Sequence, residues 1–352
     1  MKTIRVLVVD DSVTVRKRLV EVLGADPELE VVAEADDGKT AIELCQRLRP
    51  DVVTLDMMLP VMTGLAATEY IMAHCPTPIV IVSASTNRGE LFRTYEALAA
   101  GAVDVLEKPT GDEVADDWER RLVSTVKLVS RIKVITHLRG KLRPAAPLPT
   151  VRSALPGATP VCHLVAIGAS TGGPGAIVEI LRGLSPRFPV PILLVLHIGE
   201  PFAAALADWL DGTSPLRVAY ARDGEVIPPV GQGRVLMAPP DRHLIVRGGR
   251  LRLTSDPERH SCRPSVDELF ESIAREQAEG SAGCLLTGMG KDGAAGLLAL
   301  RRAGGVTIAQ DEATSIVFGM PREAILLDAA QRVLPLGEIA PALGALAAGR
   351  KP

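Results

Sequence analysis

IRVLVVDDSVTVRKRLVEVL (residues 4–23) opens with a β-branched run, Ile4–Val9, meets two adjacent carboxylates at Asp10 and Asp11, and continues as a helical pattern. Further short apolar runs, at Glu30–Glu34, Val52–Leu55, Pro78–Val82 and Ala102–Leu106, are separated by helical stretches. That alternation predicts an α/β fold on a parallel, doubly wound sheet. Before Val52, the residues Ala41, Leu44, Cys45 and Leu48 fall at i, i+3, i+4 and i+7, one apolar stripe that Pro50 terminates. Residues 112–138 read as one long closing helix, so a first domain spans 1–138.

Between 139 and 160 (RGKLRPAAPLPTVRSALPGATP) periodicity is lost and prolines accumulate, the composition of a stiff, basic linker. The β/α alternation resumes at LVAIGAS (164–170) and continues through PILLVLH (191–197), GCLLTGMG (283–290) and GVTIAQD (305–311). A second doubly wound α/β domain is therefore expected over 161–346. Within it, HLIVRGGRLRLT (243–254) sets Gly248-Gly249 between two alternating runs, which predicts an antiparallel hairpin with a two-residue turn.

At 352 residues the chain is long enough for two cores. A formal net charge of −3 and an aromatic content of 3% exclude the basic, aromatic-interleaved footprint of a nucleic-acid binder. The five cysteines, at 45, 75, 162, 262 and 284, form an odd set without a C-x-x-C pair, which suits neither a disulfide framework nor a zinc module. They are expected to be reduced and mostly buried. The N-terminus turns acidic before a signal-peptide core could form, and no apolar run reaches the roughly 18 residues of a membrane span. A cytoplasmic protein without membrane insertion is expected.

In an open parallel sheet, ligands bind beyond the carboxyl ends of the strands. In the first domain those positions hold Asp10, Asp11, Asp56, Ser83 and Lys108. Three carboxylates converging on one spot repel one another unless a cation lies among them, and an all-oxygen cluster suits Mg²⁺. Lys108 and the Ser83 hydroxyl then suit phosphoryl oxygens, and Asp56, central in the array, suits the nucleophile of an aspartyl phosphate. Any one of these aspartates could instead cap a helix. In the second domain, Gly168-Ala-Ser170-Thr-Gly172 follows an apolar strand and precedes a helix, the G-x-S-x-G form of a turn that exposes a serine hydroxyl. A phosphate-cradling glycine turn is the competing reading. His197, at the next strand end, is the candidate general base, and Asp292 the carboxylate that orients it. Asp292 could alternatively cap the helix over Ala294–Arg302. Candidate oxyanion donors are the Met289 N–H and the Thr171 side chain.

Residues 1 to about 130 resemble response-regulator receiver domains, with all five motif positions present. The resemblance implies phosphorylation on Asp56, Mg²⁺ held by Asp11, Asp56 and the Met58 carbonyl, Asp10 acting through water, and a cis peptide before Pro109. Three residues before Lys108, where many receivers carry an aromatic switch residue, stands Val105. Coupling is therefore expected through Ser83 and the segment 84–93.

GASTGGP, TGMGKDGA and DEATSIVFGMP, with the chain order Ser, His, Asp, resemble the catalytic domain of the chemotaxis protein-glutamate methylesterases across nearly all of 161–346. The family implies a flavodoxin-like receiver followed by a Rossmann-like methylesterase domain with an antiparallel hairpin. It also implies phosphorylation-activated hydrolysis of glutamate γ-methyl esters on a chemoreceptor-type helix, glutamine deamidation at such sites, a histidine kinase as phosphodonor, and no cofactor for the ester chemistry. APPDRHL (238–244) and RPSVDELF (263–270) resemble its substrate-cleft and helix segments. The family's glutamine before the histidine and methionine-proline run after it are replaced here by Leu196-His197-Ile198-Gly199-Glu200-Pro201. A catalytically weak, phospho-dependent interaction protein in a chemosensory-like pathway is the alternative, and a small-ester hydrolase is a third.

Overall fold

The computed structural model describes residues 3–84, 87–108, 115–132, 134, 162–199 and 201–349. The predicted linker at 139–160 and the peptide before Pro109 lie outside these residues. The chain divides into two compact units, Met1–Leu148 and Pro149–Pro352.

The first unit runs β1 (Ile4–Val9), α1 (Val13–Gly24), β2 (Leu29–Ala35), α2 (Gly38–Leu48), β3 (Val52–Leu55), α3 (Gly64–His74), β4 (Ile79–Ser83), α4 (Arg88–Ala99), β5 (Asp104–Glu107) and α5 (Ala115–Val129). Its sheet has the order β2-β1-β3-β4-β5 and is parallel throughout. All of β3 is buried, as a strand covered on both faces requires. On α2, Ala41 and Cys45 face a core shared with Leu7, Leu55 and Ile81, and Arg49 leaves the helix in a left-handed conformation just before Pro50.

Two sequence expectations shift. The run expected from Ala102 starts at Asp104, because the Ala102 N–H donates to Ala97 and closes α4 instead. The long helix expected over 112–138 stops at Val129, where Arg131 and Ile132 donate back to Leu128 and Val129 in tightened i→i−3 bonds.

The second unit runs β6 (Leu164–Ala169), α6 (Gly173–Gly183), β7 (Ile192–Leu196), α7 (Leu206–Thr213), β8 (Val218–Tyr220), β9 (Val235–Met237), β10 (His243–Arg247), β11 (Arg250–Thr254), α8 (Val266–Gln277), β12 (Ser281–Leu285), α9 (Ala294–Arg302), β13 (Val306–Gln310), α10 (Met320–Leu326), β14 (Arg332–Leu334) and α11 (Leu336–Ala347). Its parallel sheet has the order β14-β13-β12-β6-β7-β9-β8, so β6 lies between β12 and β7 and three successive strand ends share one edge. The predicted hairpin is β10–β11, with Gly248 and Gly249 at φ 58° and 69° as a tight two-residue turn demands. One core joins the hairpin (Leu244, Val246, Leu251) to α8 (Leu269, Phe270, Ile273) and the sheet.

Candidate functional site

At the carboxyl edge of the first sheet, Asp10 is fully buried and Asp56 nearly so, and Lys108 Nζ lies 2.9 Å from Oδ2 of each. Burial pushes the Asp10 carboxyl above its ordinary range despite Lys108, while the two carboxylates together outweigh burial and hold the Lys108 ammonium above its own. Asp10, Asp11 and Asp56 offer carboxylate oxygens within 4.8 Å of one another, an all-oxygen set that fits a hard divalent cation. The buried Ser83 hydroxyl has no hydrogen-bond partner among the described residues, so an acceptor such as a phosphoryl oxygen would satisfy it. Met58 presents an exposed side chain whose Sδ lies 3.0 Å from Arg93 Nη1. Val105 pairs with Ile81 on β4 and packs partly against the unit's core.

In the second unit, Ser170 directly follows β6 and its N–H donates to the Thr287 carbonyl at 3.0 Å. The glycines of the Ser170 turn have steric reasons. A Cβ on Gly168 would lie 2.2 Å from Val266 Cγ1, and Gly172 sits at φ 76° with Ile316 against it. His197 follows β7 and donates its N–H to the Ala169 carbonyl, which sets its backbone beside the residue before Ser170. Its Nε2 lies 2.9 Å from Asp292 Oδ2. Among the described residues no hydrogen bond joins Ser170 Oγ to either ring nitrogen, and Nδ1 faces Cys262 Sγ at 3.7 Å.

Asp292 does not cap its own helix. Gly293 is the N-cap of α9 and makes no side-chain cap bond. Asp292 instead lies across the N-terminus of α8, where Oδ1 accepts from Ser265 Oγ (2.7 Å) and the Asp267 N–H (3.2 Å), and Oδ2 accepts from the Val266 N–H (2.7 Å). A helix N-terminus favours a carboxylate. Burial by itself would raise the Asp292 carboxyl, but the His197 hydrogen bond and charge, Ser265 and the Val266 N–H outweigh it and hold it below the ordinary range. Burial likewise opposes the charged imidazole, yet Asp292 and Cys262 raise His197 to about 9.

The two candidate oxyanion groups stand differently. The Met289 N–H makes no hydrogen bond among the described residues, and its side chain is half exposed. The Thr171 carbonyl is tied down by the buried Thr287 hydroxyl at 3.0 Å, while that hydroxyl accepts from the Val317 N–H at 2.9 Å. Thr287 thus joins the Ser170 turn to the DEATSIVFGMP loop, and Gln310 Oε1 accepts the Thr287 N–H. Sequence reasoning missed Thr287, Gln310, Ser265 and Cys262. Only Ser265 carried a local signal, as a serine directly before a helical pattern.

Of the five cysteines, four are buried and Cys262 is partly exposed, and all are free. Among the described residues no helix is long and apolar enough to cross a membrane.

Fold and site together define a receiver-bearing α/β protein whose second unit gathers a serine, an imidazole and a carboxylate at one sheet edge. The chain matches the "CheB methylesterase" family over residues 165–343 and the "Response regulator receiver domain" family over 6–116. It is 46% identical over 344 residues to protein-glutamate methylesterase/protein-glutamine glutaminase 2 of Anaeromyxobacter dehalogenans (strain 2CP-C), covering 97% of this chain and 96% of that one. To protein-glutamate methylesterase/protein-glutamine glutaminase 4 of Myxococcus xanthus (strain DK1622) it is 44% identical, with 96% and 95% covered. The crystal structure of the Thermotoga maritima CheB methylesterase catalytic domain is 38% identical, aligns over 53% of this chain and 98% of that one, and has a TM-score of 0.49. The chain belongs to the CheB methylesterase family, in the form that carries a receiver domain.

Proposed function

We propose that this chain hydrolyses glutamyl γ-methyl esters on methylated, chemoreceptor-type helices, deamidates glutamines at such positions, and is switched on by phosphorylation of Asp56. The observation that carries the reading is the Asp292–His197 pair beside the Ser170 turn. A side chain held by three donors at a helix N-terminus is a fixed anchor for an imidazole, and a scaffold without catalysis has no use for it.

The Asp292 bond uses Nε2–H, so the lone pair left for the serine proton is on Nδ1. Ser170 Oγ attacks the γ-carbonyl carbon as its proton passes to Nδ1. The tetrahedral oxyanion is offered the Met289 N–H and the Thr171 side chain. Collapse breaks the acyl–O bond, and methanol leaves with the proton from His197. Water then attacks the acyl-enzyme, passing its proton to His197, which returns it to Ser170 Oγ as the acyl–Oγ bond breaks and the glutamate is freed. For a glutamine the same steps release ammonia.

In the receiver, Asp56 is the phosphoryl acceptor, with Lys108 and Ser83 positioned for phosphoryl oxygens. Asp11, Asp56 and the Met58 carbonyl, with Asp10 through water, would hold Mg²⁺, which supplies charge neutralisation for phosphoryl transfer. The proposed boundaries are a receiver at 1–138, a linker at 139–160 and a catalytic domain at 161–346. A chemotaxis-type histidine kinase as donor and a receptor helix as substrate place the work in the cytoplasm. The test is methanol release from methylated receptor membranes with and without a small-molecule phosphodonor. Release that is absent under both conditions rejects the reading.

A further inference from the structure

Cys262 sits in a position that the ester chemistry does not explain. The turn Arg259–Cys262 is closed by reciprocal backbone bonds, Arg259 N–H to the Cys262 carbonyl (3.1 Å) and Cys262 N–H to the Arg259 carbonyl (2.9 Å). Arg259 is itself tied to Glu268 and Glu271 of α8 at 3.1 and 2.6 Å. The thiol is thereby fixed relative to the helix whose N-terminus anchors Asp292. It is the one cysteine that is not buried, and His197, Cys262 and Asp292 offer ligand atoms within 4.8 Å of one another.

The geometry points to a binding site for a thiophilic divalent cation, Zn²⁺ in particular, with Cys262 Sγ and His197 Nδ1 as its two protein ligands. Zinc bonds of about 2.3 Å to sulfur and about 2.0–2.1 Å to nitrogen, at a tetrahedral angle, set the two ligand atoms about 3.6 Å apart. Sγ and Nδ1 are 3.7 Å apart. Asp292 completes a carboxylate–histidine–metal arrangement: it accepts Nε2–H at 2.9 Å, which leaves the Nδ1 lone pair to the cation. Binding would displace the Cys262 thiol proton to solvent, and any proton on Nδ1 with it, so the thiolate enters the metal bond and charge is conserved. Waters would fill the remaining positions. Where His197 is the general base, as proposed above, the cation occupies the nitrogen that the Ser170 proton needs, so zinc would inhibit ester hydrolysis. No sequence motif announces the site, because its ligands are 65 residues apart.

The test uses the full-length protein with saturating Mg²⁺, which engages the receiver carboxylates. Co²⁺ is titrated as an optical stand-in for zinc, and the near-ultraviolet thiolate-to-cobalt band is followed. We expect a band that Zn²⁺ displaces and that is lost in Cys262→Ala and Cys262→Ser. His197→Ala should weaken cobalt binding at least tenfold. Zinc inhibition of methanol release, scaled to each protein's own zinc-free rate, should be at least tenfold weaker in both cysteine variants. No band in the wild type, a band that survives in either cysteine variant, or undiminished binding in His197→Ala overturns the site. If band and binding behave as expected but zinc leaves methanol release unchanged, the metal site stands and the assignment of His197 as base is what fails.

Discussion

With Asp292 on Nε2, the His197 imidazole keeps its proton up to about pH 9. A base must be neutral to accept the Ser170 proton, so kcat/KM should rise with pH and level off above about 9. Asp292→Asn removes one of the two groups that raise the imidazole, Cys262 being the other, so the acid limb should move down from about 9 in the direction of the ordinary histidine value. The same change should cut kcat by up to ~10⁴, as for other orienting carboxylates. A limb that stays in place in Asp292→Asn dissociates it from His197. The stability sign is separate. The raised His197 contributes stability that is fully present below its unfolded value and lost as pH rises through about 9, so the melting temperature should fall across that window. Ser170→Ala should abolish methanol release and leave the fold intact, because the smaller side chain fits the same turn. Persistent turnover in that variant would move the nucleophile elsewhere. Ser170 and His197 were legible in the sequence because each directly follows an apolar run, and Asp292 because it stands among glycines in the turn after one. The partners of Asp292 were not, because Ser265 and the amides of α8 reach it from about 26 residues away along the chain.

At the scale of elements, the N-terminus of α8 does two things through one residue. Ser265 caps α8 by accepting the Glu268 N–H and donates its hydroxyl to Asp292. Ser265→Ala removes both bonds, and a lost cap together with a buried carboxylate short of a donor costs about 2 kcal/mol. The expected result is a lower urea midpoint at unchanged m-value, accompanied by a several-fold drop in kcat. A stability loss without any change in kcat would mean that the backbone N–H groups alone hold Asp292. The strand pattern was readable wherever apolar runs were bounded by turn residues, as at Ile4–Val9, Val52–Leu55 and the Gly248-Gly249 hairpin. It was misread where long-range and local hydrogen bonds competed. Ala102 looks like the start of a strand by composition, yet its N–H closes α4. Nor does helical periodicity near 130 reveal that the last turn tightens after Val129.

Across the whole molecule, the proposed activation requires a phosphoryl group on Asp56 to change the output of Ser170, more than a hundred residues further along the chain. Resting Lys108 bridges Asp10 and Asp56, and Ser83 keeps a buried hydroxyl without a partner among the described residues. A phosphoryl group on Asp56 adds acceptor oxygens that both groups can bind, so the phosphorylated arrangement gains one satisfied hydroxyl and a charge-assisted contact. Differential stabilisation of this kind is the source of any shift in population, and hundredfold activation needs about 3 kcal/mol of it. The sequence expectation that coupling runs through Ser83 and the segment 84–93, drawn from Val105, is testable on this basis. A beryllium fluoride adduct on the full-length protein, formed with Mg²⁺, should therefore raise the initial rate of methanol release. Asp56→Asn should abolish the response, and Ser83→Ala should lose most of the gain while still taking up phosphate from a small-molecule donor. If Ser83→Ala responds like the wild type, the hydroxyl is not the coupling element. If Asp56→Asn still responds, the acceptor is another carboxylate, and Asp11 is the next to replace.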